Sequence, residues 1–154
     1  MRLEKTKKLY SLPVPAESIT SVVEDSLSHR GSYKGAIDFA VPLNTAVFAA
    51  AEGKITRVKD ERRKHGSDKK FGKFANFVTI EHGEEYSEYL HLAQGSVEVK
   101  VGDQVERGQK IASTGLSGWM TAPHLHFIVY RHTGNKHGFE GLQIRFDSPL
   151  NNAK

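Results

Sequence analysis

The stretch Pro123-His124-Leu125-His126-Phe127-Ile128-Val129-Tyr130 begins with two histidines and continues as an apolar run. Its second half is β-branched or aromatic, which predicts a β-strand. Because side chains alternate between the two faces of a strand, His124 and His126 share one face and the apolar Leu125 and Phe127 share the other. Paired imidazoles on one face indicate a metal, a proton-transfer role or both. Two hydrogen-bonded histidines in a hairpin are the structural alternative.

Length and composition are typical of a single globular domain. The 154 residues are 38% hydrophobic and 26% charged, and none is cysteine, so a thiolate metal site and a disulfide framework are both excluded. The net charge of +4 suits an anionic partner. No nucleic-acid motif accompanies that charge, and no apolar run reaches the length of a membrane span. We therefore expect neither a nucleic-acid partner nor a membrane span.

The chain divides into a lead-in, residues 1–27, and one domain, residues 28–150. The lead-in contains two prolines, and the alternation around residues 19–23 predicts one edge strand. Its first eight residues are basic, but Pro13, Pro15 and Glu17 interrupt the next segment, so no signal peptide is visible in this chain. We expect a monomer.

A carboxylate, Asp38, stands out among Ile37, Phe39 and Ala40. Two glycines make residues 29–35 a turn, and residues 36–41 are a short strand closed by Pro42. Because an unpaired carboxylate is costly in apolar surroundings, Asp38 requires a cation or a metal beside it. Hydrogen bonds to turn amides are the structural alternative.

The remaining pattern is almost entirely β. Short strands are predicted at 47–51, 53–58 and 142–146, and residues 76–81 and 86–92 form a predicted hairpin. In the second hairpin strand, alternation places His91 at the end, on the face opposite Leu90. Residues 60–73 form a long polar loop, interpreted as solvated surface or as a wall of a substrate groove. The loop and turn histidines are expected to be solvated: His65, His82, His132 and His137.

Several motifs occur in an order that resembles a known family. They are Asp38-Phe-Ala-Val-Pro42, the segment from Asn76 to Gly83, Tyr89-Leu-His91-Leu92, and Pro123-His124-Leu-His126-Phe127. Together they closely resemble the lysostaphin-like, LytM-type or M23, zinc metallopeptidases that cut bacterial cell-wall peptides, over roughly residues 28–131. The resemblance implies a compact antiparallel β-sheet or sandwich of the lysostaphin-like, duplicated-hybrid-motif type, with an open groove and few or no helices.

The resemblance also implies a site. One zinc ion per chain would be held by His29, Asp38 and His126, with His91 and His124 as the catalytic pair. Many family members place the first histidine four residues before the aspartate, where this chain has Lys34, and His29 lies nine residues before Asp38 across a Gly-containing loop. Two imidazoles, one carboxylate and an open fourth position are typical of catalytic zinc. Further groove residues that could contact a substrate are Asn76, Tyr89 and Ser117.

The implied function is a zinc endopeptidase that hydrolyses peptidoglycan stem peptides or cross-bridges, located outside the cytoplasm. Three alternatives are weighed against it. A non-haem iron oxygenase also uses two histidines and a carboxylate, but it does not need the extra imidazoles. A biotinyl or lipoyl carrier would show its lysine on a tight hairpin, whereas Lys110 lies inside a strand pattern. A catalytically degenerate member would bind wall peptides or activate another hydrolase.

Overall fold

The structure, a computed structural model, describes residues 3–24, 33–62, 65–66, 75–116, 118–119, 122–133 and 138–148. The described residues form fourteen strands and one three-residue 3-10 helix, Ala16–Ser18. The strands are β1 (Lys5–Tyr10), β2 (Ser21–Val23), β3 (Ile37–Ala40), β4 (Ala46–Phe48), β5 (Gly53–Lys59), β6 (His65–Gly66), β7 (Phe77–Glu81), β8 (Tyr86–Leu90), β9 (Gln104–Val105), β10 (Lys110–Ser113), β11 (Gly118–Trp119), β12 (His124–His132), β13 (Phe139–Gly141) and β14 (Gln143–Phe146).

An eight-stranded sheet organises the molecule. Seven strands follow the order β2-β3-β12-β8-β7-β5-β9, and β13 pairs with the far part of β12. Every pairing in this sheet is antiparallel. The predicted fold class, a mostly β antiparallel architecture, is therefore confirmed, and so is the strand predicted around residues 123–130, which forms β12.

The strand β12 lies between β3 and β8, and its two faces have different surroundings. Leu125, Phe127 and Val129 have no exposed surface and belong to the main core. The Phe127 ring packs against the rings of Tyr89, at 5.2 Å, and Phe39, at 6.4 Å between centroids. The apolar face thus fixes β12 in the sheet, which holds the opposite, histidine-bearing face in position. We call the sheet face that carries His124 and His126 the site face.

The lead-in is more structured than the sequence indicates. The predicted edge strand is confirmed as β2, which pairs with β3 at one end of the large sheet. The lead-in also contributes β1, which pairs in parallel with β14. The lead-in residues Tyr10, Val14 and Ile19 are buried in the main core. A second parallel pair, β6 with β11, lies outside the large sheet. In the described part of the chain, no helical segment has both the length and the apolar character that a membrane crossing requires.

Candidate active site

Three of the predicted site residues meet on the site face. The antiparallel register of β12 and β3 places Asp38 directly opposite His126. The Nδ1 atom of His126 lies 3.0 Å from Oδ1 of Asp38, and Nε2 of His124 lies 3.7 Å from the same oxygen. All three side chains are largely buried, with exposed fractions of 6% for His126, 16% for His124 and 17% for Asp38. Two imidazoles therefore lie beside the Asp38 carboxylate, where the sequence predicts a cation or a metal.

The fourth residue, His91, reaches the cluster by leaving the strand pattern. Its ring centroid lies 4.6 Å from that of His124 and 6.0 Å from that of His126. Because Leu90 pairs with His126 and shares its face, alternation would have sent His91 to the opposite face. The predicted face of His91 is therefore wrong. The strand β8 ends at Leu90, and the positive φ of His91, 73°, turns its side chain back to the site face.

Asn76 holds the segment that comes directly after β8. Its backbone carbonyl accepts hydrogen bonds from the amides of His91 and Leu92, and its side-chain amide donates to the Leu92 carbonyl at 3.2 Å. The same side chain exchanges two hydrogen bonds with the backbone of Arg62. From the other side, the Gly115 amide donates to the His91 carbonyl at 2.9 Å. Both residues fix the backbone from which the His91 imidazole projects.

The predicted substrate contacts Asn76 and Tyr89 have no exposed surface. The Tyr89 hydroxyl accepts a hydrogen bond from the Ala50 amide at 2.9 Å and lies 2.8 Å from the Ser87 hydroxyl. Neither side chain is open to a substrate in this structure, and both support the backbone. Two further predicted site residues, His29 and Ser117, lie outside the described residues.

Hydrogen bonds fix the tautomer of His124. Its Nδ1 lies 2.8 Å from the backbone carbonyl oxygen of Ala122, which can only accept, so this nitrogen carries the proton. In the neutral ring, Nε2 is then the basic atom, and it faces Asp38. In its neutral form, His124 therefore presents a proton acceptor to the centre of the cluster.

The donor set fits a zinc ion. Two ligand atoms on tetrahedral zinc, each about 2.0–2.1 Å from the metal, are about 3.3 Å apart. The 3.0 Å separation of His126 Nδ1 and Asp38 Oδ1 is close to that value. Among the described residues, no group of three or more potential ligands is arranged to hold a metal. The third predicted ligand, His29, is outside that set.

The site face also carries Glu88, Thr79 and Arg57, for which the sequence predicts no role. Glu88 of β8 accepts a hydrogen bond from the Thr79 hydroxyl at 2.8 Å, and Arg57 of β5 lies 3.9 Å from the same carboxylate oxygen. Burial raises the pKa of Glu88, and the contacts with Thr79 and Arg57 oppose that rise. The ring of Tyr33 lies 6.4 Å from that of His126. Glu88 lies two residues before Leu90 and therefore on the same face of β8. The sequence does not show that Leu90 pairs with His126, so it does not show that Glu88 lies on the site face.

One histidine that was expected to be solvated is built into the fold. His82 is half-buried, with Nδ1 at 2.6 Å from the Glu52 carbonyl oxygen and Nε2 at 2.8 Å from the Ser87 hydroxyl. The expectation was wrong here because the hairpin turn folds back against the end of β5. Ser87 and His82 are spaced like a nucleophile and its base, but Ser87 has no exposed surface and so cannot attack a substrate. His132 is exposed, as expected.

Comparison with known proteins identifies the family. The model of peptidase family M23 matches residues 32–138, more than half of the chain. This chain belongs to peptidase family M23. The matched region contains Asp38, His91, His124 and His126, and it begins three residues after His29.

Relatives and solved structures agree with this assignment. The peptidoglycan DD-endopeptidase ShyB of Vibrio cholerae is 36% identical over 132 residues, which cover 82% of this chain and 28% of ShyB. Lysostaphin of Staphylococcus simulans is 36% identical over 66% of this chain and 19% of its own length. The chain thus spans less than a third of these relatives.

Among solved structures, a zinc-containing peptidase from Vibrio cholerae superposes with a TM-score of 0.61 at 28% identity, over 92% of this chain and 41% of that one. The catalytic domain of lysostaphin from Staphylococcus simulans gives 0.59 at 25% identity, over 82% of this chain and 90% of that domain. The expected lysostaphin-like fold is confirmed.

Proposed function

We propose that this M23 chain is a zinc-dependent endopeptidase that hydrolyses peptide bonds in peptidoglycan stem peptides or cross-bridges, outside the cytoplasm. The observation that carries the proposal is the convergence of three imidazoles and one carboxylate, His91, His124, His126 and Asp38, on one sheet face. Relatives named peptidoglycan DD-endopeptidase and lysostaphin support the substrate class. We expect one zinc ion per chain, held by His126, Asp38 and His29, in a monomeric protein.

The chemistry divides between the metal and this chain's own side chains. Zinc, when bound, supplies a Lewis acid that polarises the scissile carbonyl and activates water for attack. His124 accepts a proton at Nε2, since its Nδ1 is already protonated and donates to the Ala122 carbonyl. This Nε2 lies 3.7 Å from Oδ1 of Asp38 and so faces the proposed metal ligands. His91 stands beside His124 and can donate a hydrogen bond to the developing oxyanion or a proton to the leaving amine.

A catalytically degenerate wall-binding domain is the second candidate. It is favoured only by the departure at Lys34, where many family members have the first histidine. Metal content and cleavage of purified peptidoglycan separate the two functions. We expect about one zinc per chain and release of peptide amines from the wild type. A protein that cannot be loaded with zinc and releases no amines would instead support the degenerate domain.

Three histidine variants assign the roles. We expect His126→Ala to lose both zinc and activity, because it removes a ligand. We expect His124→Ala to keep zinc and to lose activity by about 10²–10⁴-fold, the usual contribution of a general acid or base. His132→Ala is the matched control, since His132 is exposed at the far end of the same strand. Zinc loss in His124→Ala, or full activity in either site variant, would contradict these roles.

His29→Ala tests the ligand that departs from the common family spacing. We expect zinc loss equal to that of His126→Ala, because a two-ligand site does not hold zinc tightly. Elemental analysis after dialysis is the measurement. If the variant retains stoichiometric zinc, the third ligand is a residue other than His29. The endopeptidase proposal is then tested by the cleavage assay alone.

A further inference from the structure

The sheet register places a row of side chains beside the catalytic cluster. Residues directly opposite each other on paired strands share a face. The pairs Ile128 with Glu88, Glu88 with Thr79, and Thr79 with Arg57 therefore continue the site face from β12 across to β5. This row is adjacent to the row that contains Asp38 and His126, since Ile128 is the next residue of β12 on that face. Arg57 is the cation at its outer end.

Two neighbours hold the Arg57 guanidinium in place. Its carbon atom Cζ lies 4.7 Å from the centre of the Phe77 ring, and one of its nitrogens lies 3.9 Å from Glu88. Stacking on an aromatic ring restricts a planar guanidinium to a narrow range of orientations. The Glu88 carboxylate is itself anchored by Thr79 and is only 14% exposed. The guanidinium is thus oriented before any ligand arrives.

The held guanidinium is also accessible. The Arg57 side chain is 62% exposed, and among the described residues no hydrogen bond to its guanidinium is present. Glu88, at 3.9 Å, is beyond hydrogen-bond distance and uses one oxygen to accept from Thr79. The N–H donors of Arg57 are therefore available to a ligand. A fork of parallel N–H donors is the arrangement that binds a carboxylate in two places.

We propose that Arg57 binds a carboxylate of the peptide substrate and makes this enzyme selective for acidic stem peptides over uncharged ones. The proposal rests on the proposed endopeptidase function and names the substrate class of the same site. The strand β5 is three positions from β12 in the sheet, about 14 Å away. An extended peptide spans about 3.3 Å per residue, so the carboxylate belongs to a residue about four positions from the scissile bond.

Two lysines on the same strand provide matched controls. Lys54 pairs with Glu81 and Lys59 pairs with Phe77, so both residues belong to the same sheet face as Arg57. Lys54 is exposed, and Lys59 forms an ion pair with Glu61 at 3.4 Å. Neither is oriented by an aromatic ring among the described residues. A general attraction of the basic face for anions would involve all three cations, whereas a carboxylate site requires Arg57.

Binding is measured in a His124→Ala background, in which we expect cleavage of the peptide to be about 10²–10⁴-fold slower. The probes are a synthetic stem tetrapeptide and versions in which each carboxylate in turn is replaced by a carboxamide. We expect one replacement to weaken binding by about tenfold, the value of a hydrogen bond to a charged group at an exposed site. Arg57→Gln should abolish that difference, Arg57→Lys should reduce it, and Lys54→Gln should leave it unchanged.

Each other outcome overturns the inference. Equal binding of all peptides, or a carboxylate preference that survives in Arg57→Gln, would remove Arg57 from substrate recognition. Equal loss in Arg57→Gln and Lys54→Gln would show attraction by the whole basic face. Where Arg57→Gln does not fold, a full preference in Arg57→Lys would count against a bidentate site. Peptidoglycan cleavage by the wild type is measured separately, so failure of the endopeptidase proposal is recognised independently of these binding results.

Discussion

A row of consecutive hydrogen bonds connects several buried side chains of this fold. The row runs from the Ala50 amide to the Tyr89 hydroxyl, then to Ser87, His82 and the Glu52 carbonyl. The Glu52 carbonyl can only accept, so Nδ1 of His82 carries a proton. In the neutral ring, Nε2 then accepts a hydrogen bond from the Ser87 hydroxyl, whereas protonation of Nε2 would remove that acceptor.

The free energy of unfolding should depend on pH through the protonation of His82 in this row of hydrogen bonds. Burial lowers the pKa of His82 below its ordinary value, which disfavours the charged ring in the folded protein. The unfolded chain therefore binds this proton first as pH falls, and the free energy of unfolding decreases below about pH 6.5. We expect His82→Gln to remove this part of the decrease, which urea denaturation of both metal-free proteins between pH 8 and 5 measures. An identical slope in the variant would contradict the assignment of His82 as a neutral, half-buried ring.

The residues of the site face differ in how well the sequence predicts their positions. The alternation of His124, Leu125 and His126 was sufficient to predict a shared histidine face, because a strand has only two faces. His91 was placed on the wrong face, because a positive φ at a non-glycine residue leaves no pattern in the sequence. Glu88 and Arg57 were not recognised because their positions near His126 depend on the order of strands in the sheet. Glu88 is on β8, which neighbours β12, and Arg57 is on β5, two strands farther away.

Among the elements of the fold, the segment between β8 and β9 positions His91, one of the two proposed catalytic histidines. The backbone of residues 91–93 packs directly against Gly115, where a Cβ atom would lie 2.4 Å from the Ala93 Cα. The Gly115 amide also donates to the His91 carbonyl. Glycine is therefore required by the close approach of two backbones and not by its own conformation.

Gly115→Ala should displace His91 while leaving the zinc ligands in place. We expect retained zinc, lower stability and a fall in kcat of about 10²-fold, as for a small displacement of a catalytic group. Gly83→Ala is the control, because its positive φ of 91° makes alanine strained while its Cβ would meet nothing within 4 Å. It should lose about 1–2 kcal/mol of stability with unchanged kcat. A normal kcat in Gly115→Ala would mean that His91 does not take part in the reaction.

For the molecule as a whole, the lead-in and the tail close the core together. The parallel pair of β1 and β14 lies outside the large sheet, and Phe146 of β14 packs against Phe39 and Phe127. Glu85 in the turn between β7 and β8 accepts hydrogen bonds from the Lys7 amide and the Tyr10 hydroxyl. These contacts join β1 to the hairpin that carries Glu88, although the family match begins only at residue 32.

Substitutions of Tyr10 test whether the contacts between β1 and the β7–β8 hairpin stabilise the domain. It has no exposed surface, packs against the His82 ring at 5.4 Å and donates a 2.9 Å hydrogen bond to Glu85. We expect Tyr10→Ala to lower the free energy of unfolding by about 3–5 kcal/mol, the usual effect of deleting a large buried aromatic side chain. Tyr10→Phe keeps the ring and isolates the hydrogen bond, with an expected loss of about 1–3 kcal/mol because the buried Glu85 loses a donor. Denaturant unfolding followed by tryptophan fluorescence measures both. If Tyr10→Ala unfolds like the wild type, residues 5–10 are an appendage and the domain begins after them. A large loss of stability makes β1 part of the cooperative unit that holds the site face.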